Sequence, residues 1–256
     1  MKKLFVLLCA VLALSLLLTA CGDKPEDAAP SESDVPAASI PTDPEEIKAH
    51  NEEIDEASIN LIQFDTPAAG TKVATIKTSA GDIKIALYDK EAPKAVENWI
   101  ALAEKGYYNG LKFYEVIPTV RISTGDPENS GNGGESSFDS GKFADEYSLN
   151  LWHFNGAVAM NNNGVSDAND SKFYIIQNNG ISEELGQEMI DGGFPTKVID
   201  KYLEVGGVPN YDFKDTVFGQ VIEGMDVVEQ IASAARDEQN KPSEDITIDS
   251  ITIETL

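Results

Sequence analysis

The feature that most constrains this chain is a series of short runs rich in Val, Ile and Thr, separated by glycine-bearing loops, that fills its C-terminal three-quarters. Val73 to Tyr88 reads as a hairpin whose two arms flank Ala80-Gly81-Asp82. Further strand-like runs stand at 112–117, 119–124, 156–160, 172–176, 215–222 and 246–254. Two amphipathic helices interrupt them. Glu91 to Lys105 places Val96, Trp99, Ile100 and Ala103 on one face, and Met225 to Ala234 turns Val227, Val228 and Ile231 inward. Many short strands with two helices predict a mostly β domain, a closed antiparallel barrel capped by helices.

The N-terminal 70 residues have a different character. Lys2 and Lys3 precede an apolar run from Leu4 to Leu18, too short and too early for a membrane span. Residues 22–70 then hold thirteen Asp or Glu against Lys24 and Lys48, and Pro25, Pro30, Pro36, Pro41, Pro44 and Pro67 punctuate them. So charged and Pro-rich a stretch cannot offset the entropy of ordering, so 22–44 is expected as a disordered tether. As a flexible coil, residues 22–70 would span roughly 40 Å. Within them, Pro44 to Phe64 has the makings of a short helix, with Asp43 as cap and Pro44 at its first position, either packed on the domain or serving as a helical spacer. The reading divides the chain into 1–20, 21–70 and 71–256.

Charge and residue usage exclude several classes of function. Asp and Glu outnumber Lys and Arg by 44 to 19, for a net charge of −25, so no basic stripe is available for nucleic acid. The two cysteines, Cys9 and Cys21, both precede the folded region, which rules out a disulfide framework there. His50 and His153 stand far apart, and Asp126-x-Glu128-x-Ser130 begins like a calcium loop but has Ser137 where the twelfth position needs a bidentate Glu. No metal and no cofactor is expected.

Leu18-Thr19-Ala20-Cys21 resembles the bacterial lipobox. The resemblance implies a signal peptide over 1–20, fatty acylation of Cys21, and a lipid anchor on the outer face of a cell membrane, of Gram-positive type. Cys9 would leave with the signal, and the mature protein would carry no free thiol.

A second resemblance covers about 72–256. Phe113-Tyr-Glu-Val-Ile-Pro118, Gly125-Asp126-Pro127 and Gly131-Asn-Gly-Gly-Glu-Ser136 are similar to the central motif of the cyclophilins. Gly156-Ala-Val-Ala-Met160, Ser171-Lys-Phe-Tyr-Ile175 and Val217 to Val228 match three more blocks of that family in order. The resemblance implies an eight-stranded closed barrel with two capping helices, and rotation of Xaa–Pro peptide bonds without a cofactor. The segment 177–209 is longer than the corresponding loop of a minimal cyclophilin, and Pro195 to Val205 reads as a helix ended by Gly206-Gly207.

Carried across residue by residue, the resemblance also shows what has changed. Glu115 stands at the family's catalytic Arg and Tyr114 at the preceding His. Val120, Arg121 and Ser123 replace Phe, Met and Gln of the proline pocket, and Tyr174 replaces its second Phe. Asn162 is retained, while Asn210 and Asp215 take the places of Trp and His. The peptide-binding set is therefore expected to be Phe113, Val120, Ser123, Asn162, Tyr174, Asn210, Tyr211 and Asp215, with Arg121 as relocated catalytic donor or as a plain ion-pair partner of Glu115. The expected function is an extracytoplasmic, weakened peptidyl-prolyl isomerase, a monomer acting on exported or unfolded proline-containing polypeptides. The alternative is a catalytically inactive peptide-binding or chaperone lipoprotein.

Overall fold

Alternation of buried and exposed side chains makes the first hairpin. Strand β1 (Lys72–Thr78) pairs antiparallel with β2 (Gly81–Leu87) across Ser79-Ala80, and the Thr78 hydroxyl closes the turn by donating to the Gly81 carbonyl at 2.7 Å. In this computed structural model, which describes residues 43–256, six more strands follow. They are β3 (Glu115–Ile117), β4 (Arg121–Thr124), β5 (Ala157–Met160), β6 (Phe173–Ile176), β7 (Val217–Glu223) and β8 (Ile248–Thr255). All eight join one antiparallel sheet in the order β3-β4-β6-β5-β7-β2-β1-β8.

The sheet curls but does not close as a full barrel. Its edges are β3 and β8, and no ladder joins them. They approach only just ahead of both strands, where Phe113 N–H donates to Ile246 O at 2.9 Å and Ile248 N–H to Leu111 O at 2.8 Å around a single Lys112–Thr247 bridge. Strand β3 is three residues long and runs into Pro118, so it offers too few backbone groups to complete the seam. The expected closed barrel is thus an open, curled sheet.

Helices fill the concave side. Helix α2 (Pro93–Glu104) starts on a proline that lacks the N–H a first helical turn leaves unused, and buries Val96, Trp99, Leu102 and Ala103. Leu102 takes the inward place expected of Ile100, which is only half-buried. Trp99 is fully buried among Tyr108, Phe173 and Phe218, and Val228 and Ile231 of a last helix (Met225–Ala232) complete this main core.

A second core lies outside the sheet and takes in part of residues 43–70. Helix α1 (Pro44–Glu52), capped by Asp43, forms where expected. From there the chain packs onto the 177–209 segment, the first of the two roles open to it, and is not a free spacer. That segment holds two helices, Glu183–Asp191, which was not foreseen, and Thr196–Val205. Ile59 is fully buried with Trp152, Phe154, Met189, Val198, Ile199 and Tyr202. Burial of each large apolar side chain contributes about 1.5–3 kcal/mol, which favours ordering this stretch despite its acidic composition. Asn51 donates to Gly192 O at 2.8 Å, Lys197 to Ile59 O at 2.7 Å, and buried Gln63 spans Trp152 O at 3.0 Å and the Gln220 side chain at 2.9 Å. The expected signal peptide and Cys21 lie outside the described residues. No helix among the described residues is long and apolar enough to cross a membrane.

Candidate functional site

The site forms on the face of the sheet opposite the main core. Antiparallel register pairs Glu115 with Ser123 and Ile117 with Arg121, so Glu115 and Arg121 are diagonal neighbours on one face. The next ladder pairs Ser123 with Tyr174, and the one after pairs Tyr174 with Ala159. Alternation along β4 and β6 thereby brings Glu115, Ser123, Arg121 and Tyr174 together.

Arg121 is the centre of the arrangement. Its Nε and Nη2 lie 3.2 and 3.1 Å from Glu115 Oε2, and the Ser123 hydroxyl donates to the same oxygen at 3.0 Å. The guanidinium carbon stands 5.0 Å from the centre of the Tyr174 ring and 5.4 Å from that of Tyr211, within cation–π range of both. Burial works against the charge, but Glu115 and the two tyrosines outweigh it, and Arg121 is held above its ordinary pKa. Its side chain keeps 17% of its surface open, while the guanidinium covers the buried Tyr174.

Beneath it lies a carboxylate. The Tyr174 hydroxyl donates to Asp215 Oδ2 at 2.7 Å. Burial pushes the Asp215 carboxyl up, against the pull of the Tyr174 hydrogen bond, His153 and Arg121. Tyr211 belongs to a one-turn 3-10 helix (Pro209–Tyr211) whose segment continues through Asp215, so one stretch of chain supplies a wall and part of the floor.

Not every expected residue belongs here. Phe113 precedes β3, beside the bridge to 247, and its ring is buried in the main core, so it cannot touch a ligand. Asn162 is buried and its side chain is held in place: it donates to Asp145 Oδ1 at 3.2 Å and Lys214 O at 2.8 Å, and accepts from Gly164 N–H at 2.8 Å. Its amide braces the loop. Val120 is half-buried at the end of a turn whose Thr119 has a left-handed φ of 60°. Asn210 is exposed and lines a neighbouring cleft. Tyr114 is buried, and its hydroxyl accepts from Asn161 at 2.9 Å.

Two buried ionic groups escaped the sequence reading. Asp212 accepts from the His153 backbone N–H at 2.9 Å, pairs with His153 Nδ1 at 2.9 Å, and takes the Tyr202 hydroxyl at 2.8 Å. His153 in turn stacks on Tyr174, with ring centres 6.2 Å apart. Lys172 is buried against Asp170 and donates to Gly133 O at 2.6 Å, pinning the glycine-rich loop to β6. The one signal for it was a lysine at the head of the strand-like run 172–176, directly before the apolar Phe173–Ile176. Among the described residues, no group of three His, Cys, Asp or Glu side chains is placed to hold a metal ion.

Comparison with known proteins agrees with this geometry. The family model for cyclophilin type peptidyl-prolyl cis-trans isomerase/CLD matches residues 73–253. A protein of Staphylococcus saprophyticus named "Putative peptidyl-prolyl cis-trans isomerase" is 42% identical over 195 residues, covering 76% of this chain and 98% of its own length. A Staphylococcus aureus protein of the same name is 42% identical over 177 residues, covering 69% of this chain and 89% of its own. A cyclophilin type peptidyl-prolyl cis-trans isomerase of Cryptosporidium parvum superposes with a TM-score of 0.59 at 26% identity, over 73% of this chain and 99% of its own. A second structure of that protein, obtained in the presence of the dipeptide Ala-Pro, gives a TM-score of 0.58 over 72% and 99% of the two chains. With the family model matching residues 73–253 and relatives 42% identical along most of their length, the chain belongs to the cyclophilin-type peptidyl-prolyl cis-trans isomerase family.

Proposed function

We propose that this domain is a weakened prolyl isomerase that acts on exported polypeptides from a lipid anchor at Cys21, outside the cytoplasm. The observation that carries the reading is Arg121, stacked on Tyr174 and Tyr211 and tied to Glu115. Rotation about an Xaa–Pro bond faces a barrier of about 20 kcal/mol and breaks no bond. A donor that pairs better with the twisted amide than with the planar one lowers that barrier. The chain has two arginines, Arg121 and Arg236, and the first is in the groove. Its guanidinium is already engaged by a carboxylate, which draws on the charge that a twisted amide would otherwise receive. It also covers Tyr174, where a proline ring would sit. Both features favour a slow enzyme over an ordinary one.

NMR exchange spectroscopy on an Ala-Pro tetrapeptide tests the activity. Measurable acceleration, more than about tenfold below that of an ordinary cyclophilin, is expected. A rate within tenfold refutes the weakened reading, and no acceleration with retained peptide binding makes the domain a binding module. For the anchor, fractionation of cells producing wild type and Cys21→Ser is decisive: the substitution should release the protein from the membrane fraction.

A further inference from the structure

A cavity lies beside the Arg121 site, across residues 209–214. It lies between α1, the Glu183–Asp191 helix and the 209–214 segment, and has a volume of about 270 Å³. Ile47, Leu185, Met189, Phe194, Pro209 and Phe213 make it apolar, and His50, Glu188, Asn210 and Lys214 stand at its polar lining. The cavity exists because α1 is clamped across the 177–209 helices. Asn51 bonds Gly192 O, Glu56 accepts from Thr196 N–H, and a Cβ on Gly193 would come within 3.1 Å of Lys48 O. Phe213 is held in the left-handed region at φ 56°, an uncommon conformation for a bulky residue, and its ring packs edge-on against Trp152 at 5.2 Å and His50 at 5.9 Å.

One stretch of chain stands between the cavity and the site and borders both. Tyr211 faces Arg121 and Asp215 bonds Tyr174, while Asn210, Phe213 and Lys214, interleaved with them, line the cavity. Tyr211 and Phe213 are two residues apart, so their Cα atoms are at most about 7 Å apart. An extended polypeptide with its proline at Arg121 covers that distance in two to four residues.

We propose that this cavity is an exosite for a large apolar side chain of the same polypeptide whose proline lies at Arg121, two to four residues away. The inference rests on the peptide-binding reading of the Arg121 groove. Unfolded chains display such side chains and folded ones bury them, so the exosite selects unfolded polypeptides. Binding energy gained there holds the proline in a groove that Arg121 makes shallow.

Calorimetric titration of the full-length protein with two decapeptides tests this. Each carries one central proline, and they differ only in having Leu or Ser at each position two to four residues on either side. The Leu peptide should bind at least tenfold more tightly, and Leu185→Glu and Ile47→Glu should each close the gap. Equal affinity of the two peptides for the wild type overturns the exosite, whatever the variants do. A gap that survives both substitutions overturns it as well. Isomerisation of the Ala-Pro tetrapeptide is measured separately, so an inactive Arg121 groove is distinguishable from an absent exosite.

Discussion

Arg121 directs both Nε and Nη2 at a single oxygen of Glu115, Oε2, at 3.2 and 3.1 Å, and Ser123 adds a third donor to that same oxygen. The ion pair is diagonal across the β3–β4 ladder, and it holds the guanidinium over Tyr174 and Tyr211. Charge and position of the candidate donor are thus set by one carboxylate.

Removing the guanidinium should abolish most catalysis and leave the fold intact. A hydrogen bond from a charged donor contributes about 1.5–3 kcal/mol, so Arg121→Ala should lower kcat/KM roughly 10–100-fold. Arg121→Lys should rescue little, because an ammonium cannot lie flat on two tyrosine rings while donating sideways. Exchange spectroscopy on the Ala-Pro tetrapeptide reads this, with circular dichroism as the control for folding. An unchanged rate for the alanine variant removes Arg121 from the mechanism.

Glu115→Gln keeps an acceptor for Arg121 and Ser123 but removes the opposing charge. The freed guanidinium should stabilise the twisted amide better, raising kcat/KM by about fivefold, or about 1 kcal/mol. A fall in rate would mean that the carboxylate's hold on Arg121 matters more than the charge it neutralises.

Asp215 makes stability depend on pH. Burial holds its folded pKa above the ordinary value of 3.8. Between those two pKa values the folded state keeps a proton that the unfolded state has released, so stability falls as pH rises through that window. Asparagine at 215 can still accept from Tyr174 and has no charge to bury. Urea midpoints of wild type and Asp215→Asn should be alike near pH 3, and the variant's should be higher at pH 7. A variant that loses stability relative to wild type between those pH values contradicts this.

Gly125 links the site to its glycine-rich loop at φ 90°, and a Cβ there would lie 2.3 Å from Ser171 O and 3.0 Å from Lys172 Cα. Both obstacles are backbone of the chain entering β6 and cannot swing aside. Gly125→Ala should cost about 3 kcal/mol or more, a fall in Tm of about 6–12 °C. Calorimetry that shows a smaller fall would mean that β4 and β6 separate more easily than this packing implies.

By itself the sequence determined the strand runs, the two helices on the concave side of the sheet and the family. Val96 and Trp99, Val228 and Ile231 recur at helical spacing, and the glycine-bearing blocks are fixed by local backbone geometry, so each can be read within a few residues. It also offered Arg121 as an ion-pair partner of Glu115, six residues away in the adjoining strand-like run. Only the tertiary structure decided the rest. Residues 43–70 are acidic and Pro-rich, and nothing local shows that Ile59 and Gln63 have burial partners some ninety or more residues away at Trp152 and beyond. Phe113 and Asn162 matched family positions, but one ring is committed to the core and one amide to Asp145 and Lys214 O, commitments set by long-range packing. The sheet's open seam likewise depends on where β3 and β8 end in space. Spacing along the chain fixes which side chains share a face. Burial and hydrogen-bond satisfaction, which need the whole fold, fix which of them remain free to meet a ligand.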